Sequence, residues 1–361
     1  MKVAYLLGSL NRGGTETLLL DVFKNASKAD FDFVGIYRKD GLLRADFYAT
    51  NQKFIKLTPK FPFDIFYLFK LRKTLKREKI NIVHSQQFID AFYAKIATLF
   101  TTIKVVQTYH GFEKEHFLLK FIIRKTDKNL FVSNYQRELY IKKYNLKSEK
   151  QAVVYNGISF DKFLIHHEKT DLPEKYGNGL KLAMVGNFVL VRDQLTICKF
   201  LKLLVQKDVK FDFYFVGKQS DNEIWRYNEC VDFCKKNQLD NVHFLGSRND
   251  IPAILKQMNA FVYSTNHDTF GIAVVEAIAC GLPTFVNDWV VMSEITEDGK
   301  YATIYKTKDV QDLLQKFTDF FQNRDIYFQK AKEAATFVRE KYSIEKHIAQ
   351  LNNVYNTLSS N

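Results

Sequence analysis

Short apolar runs alternate along this chain with stretches of helical periodicity, and that alternation leaves few folds open. In the first half the runs are Val3–Leu7, Phe33–Tyr37, Ile82–His84, Lys104–His110, Lys128–Val132 and Ala152–Tyr155. Between them, Thr15–Ala26 sets Leu18, Leu19, Val22 and Phe23 on one side of a helix, and Ile89–Leu99 is rich in Ala, Phe and Ile. The second half repeats the pattern with Leu182–Val185, Phe211–Val216, Val242–Leu245, Ala260–Tyr263 and Thr284–Val286. Strands separated by helices pair in parallel through crossovers, so the predicted fold class is α/β, two Rossmann-like parallel-sheet domains. The polar, irregular stretch from Phe160 to Gly179, with His166-His167-Glu168-Lys169 and Pro173, is the expected linker. Asp325 to Leu358 reads as two polar helices around Ser343, the second returning to the first domain. The expected boundaries are 1–165, 166–338 and, for the returning helix, 339–361.

Length agrees with two cores. A chain of 361 residues, 46% of them apolar, fits two globular domains of roughly 150–200 residues each. Met1-Lys-Val-Ala-Tyr-Leu-Leu-Gly8 is too short for the apolar core of a signal peptide and reads as a buried first strand. Longer apolar stretches are interrupted by Lys, Arg or Asp and fall short of the ~20 residues of a membrane span. Cys198, Cys230, Cys234 and Cys280 form neither a CxxC pair nor a zinc spacing, so they read as small packing residues of a reduced cytosolic protein. His166-His167 reads as linker, not as a metal site.

The net charge of +13 points to polyanions. No signature of a nucleic-acid-binding module accompanies it. Two segments combine aromatic and basic residues instead: Phe61 to Lys79, and Phe117-Leu-Leu-Lys120-Phe-Ile-Ile-Arg124-Lys125. Each reads either as a helix whose apolar side packs on a sheet or as one that contacts an anionic membrane surface.

Parallel sheets bind ligands beyond the C-terminal ends of their strands, and two such edges facing one another make a cleft. Four stretches lie at such ends. Gly8-Ser-Leu-Asn-Arg12-Gly13-Gly14-Thr15-Glu16 is a glycine-rich turn opening a helix; it lacks GxGxxG and has Gly14 where a Walker loop has lysine, leaving a backbone suited to close approach by a phosphate or sugar. Gln107-Thr108-Tyr109-His110-Gly111 puts an imidazole at a strand end, with His84 similarly placed but read as structural. Met184-Val185-Gly186-Asn187 leads to Arg192, a cation able to meet a departing diphosphate. Asp268-Thr-Phe-Gly271-Ile272 to Glu276, ended by Gly281 and Pro283, sets two carboxylates across a short helix whose free amides can hold an anion. Asp30-Phe-Asp32 has the form of a metal-binding DxD but precedes an apolar strand and reads as a turn.

Taken in order, these motifs resemble the retaining, GT-B-fold glycosyltransferases of family 4 (glycosyl transferases group 1). The resemblance covers most of the chain and includes Gly13-Gly14-Thr15-Glu16, Thr108-Tyr109-His110-Gly111, Tyr155-Asn156-Gly157-Ile158, Val185-Gly186, Phe215-Val216-Gly217 and Phe244-Leu245-Gly246. It implies transfer of a hexose or hexose derivative from a nucleotide-sugar, a UDP-sugar by family precedent, to a saccharide or polyprenyl-diphosphate-linked acceptor in cell-surface polysaccharide or glycolipid synthesis. It further implies that Glu276 holds the ribose hydroxyls, Asp268 the sugar hydroxyls and Arg192 the diphosphate. Gly13, Gly14, Gly186, Asn187, Gly271 and Ile272 would line the donor site, with His110 beside the donor sugar or acceptor. No metal and no cofactor beyond the nucleotide-sugar co-substrate is expected, and no nucleic-acid partner. The expected location is the cytoplasm, peripheral on the inner face of the cell membrane.

Three positions depart from the family pattern. Asp268 stands where glutamate is usual, Asn187 where an arginine follows Val-Gly, and Arg192 replaces a lysine. Two other readings remain: a nucleotide-sugar epimerase on the same architecture, and a non-catalytic nucleotide or sugar binding module.

Overall fold

The structure is a computed structural model describing residues 1–113, 116–164 and 170–359. Among these residues thirteen strands form two sheets. The first contains β1 (Lys2–Ser9), β2 (Asp32–Lys39), β3 (Lys53–Lys56), β4 (Ile82–Ser85), β5 (Lys104–Tyr109), β6 (Lys128–Phe131) and β7 (Gln151–Val153), in the order β3-β2-β1-β4-β5-β6-β7. The second contains β8 (Leu180–Val185), β9 (Phe211–Val216), β10 (Val242–Phe244), β11 (Ala260–Tyr263), β12 (Thr284–Asn287) and β13 (Thr303–Tyr305), in the order β10-β9-β8-β11-β12-β13. Every pairing in both is parallel.

The inner strands coincide with the apolar runs because they are covered on both faces. The strands β3 and β13 are missing from those runs, and both lie at a sheet edge. Lys53-Phe-Ile-Lys56 has a lysine at each end and β13 has three residues, so one-sided burial leaves little apolar signal. In each sheet the strand order reverses beside its first strand: β1 lies between β2 and β4, and β8 between β9 and β11. Those are the switch points at which loops from opposite directions part and leave room for a ligand.

The chain divides into two compact units, one of Met1–Ser159 together with the chain from Tyr342 onward, the other of Phe160–Lys341. Helices Arg324–Lys341 and Ile344–Ser359 meet at Ser343, which bridges to Ile158. The last helix belongs to the first unit because Ile344, Ile348, Leu351 and Tyr355, spaced to fall on one helical face, are buried among Tyr5, Leu18 and Phe23. Its Tyr355 hydroxyl lies 2.9 Å from that of Tyr5. The stretch read as an irregular linker contains a helical turn, Asp161–Leu164, and the segment His166-His167-Glu168-Lys169 lies outside the described residues.

Cys198, Cys230 and Cys234 are buried together as free thiols, and burial with two neighbouring sulfurs pushes the Cys198 thiol well above its ordinary value. No described helix is long and apolar enough to cross a membrane.

Candidate active site

In the second unit the loop leaving β8 runs from Gly186 to Asp193, which caps the helix Gln194–Gln206 by accepting from the Thr196 amide at 3.3 Å. A Cβ on Gly217, just after β9, would lie 2.1 Å from the Gly186 carbonyl oxygen, so only glycine lets these two loops touch. Asn187 ties the same pair together: its Oδ1 accepts from the Lys218 amide at 2.9 Å. An arginine has no acceptor and could not make that bond.

The loop leaving β11 is laced to this one. Thr265 Oγ1 donates to the Val191 carbonyl at 2.7 Å, and the Asn266 amide reaches the same oxygen at 2.9 Å. On its other side Thr265 exchanges two 2.9 Å backbone bonds with the Asn287 side chain at the end of β12. The lacing brings Arg192 to Asp268, with Nη1 3.2 Å from Oδ2. The same nitrogen lies 3.2 Å from Thr265 Oγ1 and from the His267 carbonyl, and the guanidinium sits 5.4 Å from the Tyr263 ring centre.

Asp268, 9% exposed, has both oxygens engaged. Oδ2 also accepts from the Tyr263 hydroxyl at 2.7 Å, while Oδ1 accepts from the Thr269 and Phe270 amides at 2.8 and 3.4 Å. Burial lifts the Tyr263 phenol well above its usual value, so it stays a donor. A carboxylate held by a cation and several donors is a fixed charge, and Asp268 and Arg192 are therefore placed as one unit.

Gly271 follows with φ +86°, where a Cβ would meet Met292 Cε at 2.8 Å. It opens the helix Ile272–Ala279, whose first turn has neither a side-chain cap nor an acidic residue, leaving its leading amides for an oxyanion. Gly281, at φ +75°, ends that helix, and Arg339 Nη2 donates to the Ala279 carbonyl at 2.5 Å. Glu276, on the same helix, accepts from Lys162 Nζ at 2.8 Å. Lys162 is absent from the residues singled out in the sequence, since a lone lysine in Phe160-Asp-Lys-Phe163 carries no motif. Tyr263 carries no signal in the sequence beyond closing a strand.

In the first unit Gly13 is the extended N-cap of the helix Gly14–Lys24. A Cβ there would lie 2.5 Å from Glu16 Oε2, whereas at Gly14 it would meet nothing within 4 Å. The loop rests on Gly41, where a Cβ would come within 2.3 Å of the Asn11 nitrogen, and the Leu10 carbonyl accepts from the Leu43 amide at 2.9 Å. Asp30 lies in a bend leading into β2, which begins at Asp32.

His110 follows β5, with Nε2 2.7 Å from Gln86 Oε1 and Asn156 as a further hydrogen-bond partner. Burial brings its imidazole down to about 4, so it is neutral at pH 7 and serves as a hydrogen-bonding group, not as a charge. His84 is structural: its Nδ1 lies 2.5 Å from the Tyr355 hydroxyl and its Nε2 2.7 Å from Thr108 Oγ1. Among the described residues no group of three His, Cys, Asp or Glu side chains is placed to hold a metal ion.

Two parallel-sheet units carrying these strand-end loops have the architecture of a GT-B glycosyltransferase. Residues 12–162 match the family model described as Glycosyltransferase Family 4, and residues 167–339 the one described as Glycosyl transferases group 1. The chain belongs to the family 4 glycosyltransferases and is a transferase enzyme. Among its relatives, the Escherichia coli UDP-Gal:alpha-D-GlcNAc-diphosphoundecaprenol alpha-1,3-galactosyltransferase is 28% identical over 314 residues, covering 80% of this chain and 79% of that one. Among solved structures, a glycosyltransferase from Rickettsia africae superposes with a TM-score of 0.87 at 18% identity, covering 100% of this chain and 99% of its own. Anabaena HepE in complex with UDP and glucose gives 0.83 at 18% identity, with 100% of both chains covered. These two likenesses speak for the fold.

Proposed function

We propose that this enzyme transfers a hexose or hexose derivative from a nucleotide-sugar, a UDP-sugar in preference, to a saccharide carried on a polyprenyl diphosphate. It does so with retention at the anomeric carbon, without a metal, and peripherally on the cytoplasmic face of the membrane. The observation that carries the donor half is the uncapped start of the helix Ile272–Ala279, opened by left-handed Gly271 and followed by Glu276. Gly271 and Ile272 offer amides to the diphosphate, Arg192 its guanidinium, and Glu276 its carboxylate to the ribose hydroxyls. Asp268 meets the sugar hydroxyls, and its bonds from Tyr263 and Arg192 hold it in one orientation. Gly186 and Asn187 shape the loop that carries Arg192, while Gly13 and Gly14 admit the substrate close to the backbone. Neutral His110 is a hydrogen-bond partner for a sugar or acceptor hydroxyl. The Escherichia coli relative's UDP-galactose donor and undecaprenyl-diphosphate acceptor, and the UDP and glucose held by HepE, support the choice of substrate class.

In this reading the acceptor oxygen attacks the anomeric carbon from the face the diphosphate leaves. The bond from C1 to the β-phosphate oxygen breaks with its electron pair going to that oxygen, the new C1–O bond forms, and the acceptor's proton passes to the departing phosphate. Positive charge on the guanidinium and the helix amides is aimed at the oxygens on which negative charge grows.

The test combines ligand binding with turnover. UDP-, GDP- and ADP-sugars are screened by thermal shift, where the preferred donor raises the melting temperature by mass action. Transfer of that sugar to a polyprenyl-diphosphate saccharide is then followed in wild type and in Glu276→Ala, in which turnover falls at least a hundredfold. A wild-type protein that binds UDP yet consumes no nucleotide-sugar with any acceptor is a binding module, and product formed without acceptor indicates an epimerase.

A further inference from the structure

The helix Ile65–Arg77 presents two apolar faces. Tyr67, Leu71 and Leu75 pack inward, as an amphipathic helix on a sheet requires. Phe66 and Phe69, 68% and 65% exposed, point the other way, and Phe61, Phe63 and Ile65 just before them are also exposed. Packing on the sheet accounts for the first face and not for the second. The helix Phe117–Lys125 repeats the arrangement, burying Leu118, Leu119, Ile122 and Ile123 while Phe117 (72%) and Phe121 remain exposed. Between them the helix Phe88–Ala97 packs against both. Ring contacts tie each patch to that middle helix: Phe63 to Phe92 at 5.5 Å on one side, and on the other Phe88 to His116 at 6.2 Å and His116 to Phe117 at 4.7 Å. Phe63 is held in a left-handed conformation, φ +61°, with its amide donating to the Tyr93 hydroxyl at 3.2 Å. Left-handed backbone is rare for a bulky side chain, and here it keeps an aromatic ring at the surface.

Around the first of these helices the exposed charge has one sign. From Lys60 to Lys79 the only acids are Asp64 and Glu78, and both are buried. Asp64 caps its helix by accepting from the Phe66 and Tyr67 amides, and Glu78 pairs with Lys53 and Arg77. Lys60, Lys70, Lys73 and Lys76 are exposed, as are Lys120 and Lys125. Along the first helix the outward residues pass from aromatic in its N-terminal half to lysine in its C-terminal half. That order suits rings in the acyl boundary and ammonium groups at the level of lipid phosphates.

We infer that this aromatic band, at the N-terminal halves of the helices Ile65–Arg77 and Phe117–Lys125, and the lysines that follow it along them dock the first unit on an anionic lipid bilayer. The inference rests on the proposed lipid-linked acceptor and deepens it by fixing an orientation. In a parallel sheet each crossover helix begins at the C-terminal edge of the strands, so the band lies at the edge that carries Gln86 and His110. Docked this way, the bilayer lies beside the strand ends where an acceptor's diphosphate must arrive. Leu99 and the fully exposed Phe100, beyond the C-terminal end of the helix Phe88–Ala97, lie at the other edge and stay in water.

Full-length protein is sedimented with phosphatidylcholine vesicles containing 30% or no phosphatidylglycerol, at low and high salt. Binding to anionic vesicles, weakened by salt, is expected. The double variants Phe66→Ser with Phe69→Ser and Lys70→Glu with Lys73→Glu should each bind at least tenfold more weakly. Their UDP-induced thermal shift, unchanged from wild type, shows that the fold and donor site are intact. Phe66→Trp should blue-shift its emission on anionic vesicles and Phe100→Trp should not. The inference is overturned by absence of binding at low salt, by binding indifferent to both double variants, or by equal shifts at positions 66 and 100. It is overturned as well if Phe66→Ser with Phe69→Ser converts a dimer to a monomer without changing vesicle binding, since the band then meets a second copy of the chain. None of these outcomes depends on turnover, so failure of docking and failure of the transferase reading are separable.

Discussion

Gly271 and Gly281 bracket one helix and allow a controlled measurement. Both have left-handed backbone, at φ +86° and +75°, but an added Cβ meets Met292 Cε at 2.8 Å and Ile295 Cδ1 at 3.3 Å at the first position and nothing within 4 Å at the second. Alanine in left-handed backbone costs roughly 1–2 kcal/mol, offset by about 0.4–1 kcal/mol because the unfolded chain loses freedom too. Gly281→Ala should therefore destabilise by about 0.5–1 kcal/mol. At Gly271 the same term is joined by crowding of about 1–2 kcal/mol, the lower part of the overpacking range because a methionine terminus can yield. The sum is about 1.5–3 kcal/mol. For a unit of this size, at about 2–4 °C per kcal/mol, calorimetry should show losses of about 3–12 °C for Gly271→Ala and about 1–4 °C for Gly281→Ala. Moving Gly271 also displaces the helix amides, so only that variant should lose most of the UDP-dependent upshift. Equal destabilisation of the two variants would refute the crowding argument, and a UDP response unchanged in Gly271→Ala would remove this helix start from the donor site.

Two further predictions concern charge. The Lys162–Glu276 pair is partly exposed, so Lys162→Met should change stability by less than about 1 kcal/mol. If Lys162 holds the carboxylate towards the ribose, UDP affinity measured by calorimetry should fall two- to fivefold in wild type and no further in a Glu276→Ala background. In the first unit burial holds His110 and His347 down at about 4 and keeps His84 well below its usual value. Unfolded histidine takes up its proton near 6.5, so the stability contributed by keeping these rings neutral is complete above that pH and is lost as pH falls from 6.5 towards 4, on the order of 1–2 kcal/mol per ring at pH 5. Asp90, lifted to about 6 by burial, works in the opposite direction over the same range. The melting temperature should still fall between pH 6.5 and 5, and His347→Gln should flatten that slope; an unchanged slope would show that His347 does not take part.

What the sequence disclosed and what it withheld follow from the range of the interactions. Inner strands were legible because burial on both faces writes an uninterrupted apolar run; an edge does not require one, and of the four edge strands β7 and β10 carry a short run while β3, with a lysine at each end, and three-residue β13 do not. The helix from Ile272 to Ala279 was readable from its glycines, since its start and stop are local backbone requirements. Its charge partners were not. Glu276 meets a lysine 114 residues earlier in the chain, and Asp268 meets Arg192 only because Thr265 laces one loop to the other. Asn187 stands out in the sequence only as a departure from the family's arginine; that its amide oxygen joins two loops depends on where Lys218 lies in space. Gly41 passed unnoticed for the same reason: what demands glycine there is the backbone of Asn11.

The helix Ile344–Ser359, which completes the first unit, also sets a timetable. Tyr5 and Tyr355 bond across 350 residues, and at the roughly 5–20 residues per second of ribosomal synthesis about 20–70 s separate their appearance. The second unit, continuous from Phe160 to Lys341, has all its residues before the first unit has its last helix. During that interval the apolar flank of β1 and the helix Gly14–Lys24 waits without its cover. The half of the molecule made first is thus the half finished last, and a nascent chain stalled near Lys341 would present to chaperones an open surface around Tyr5 and Phe31.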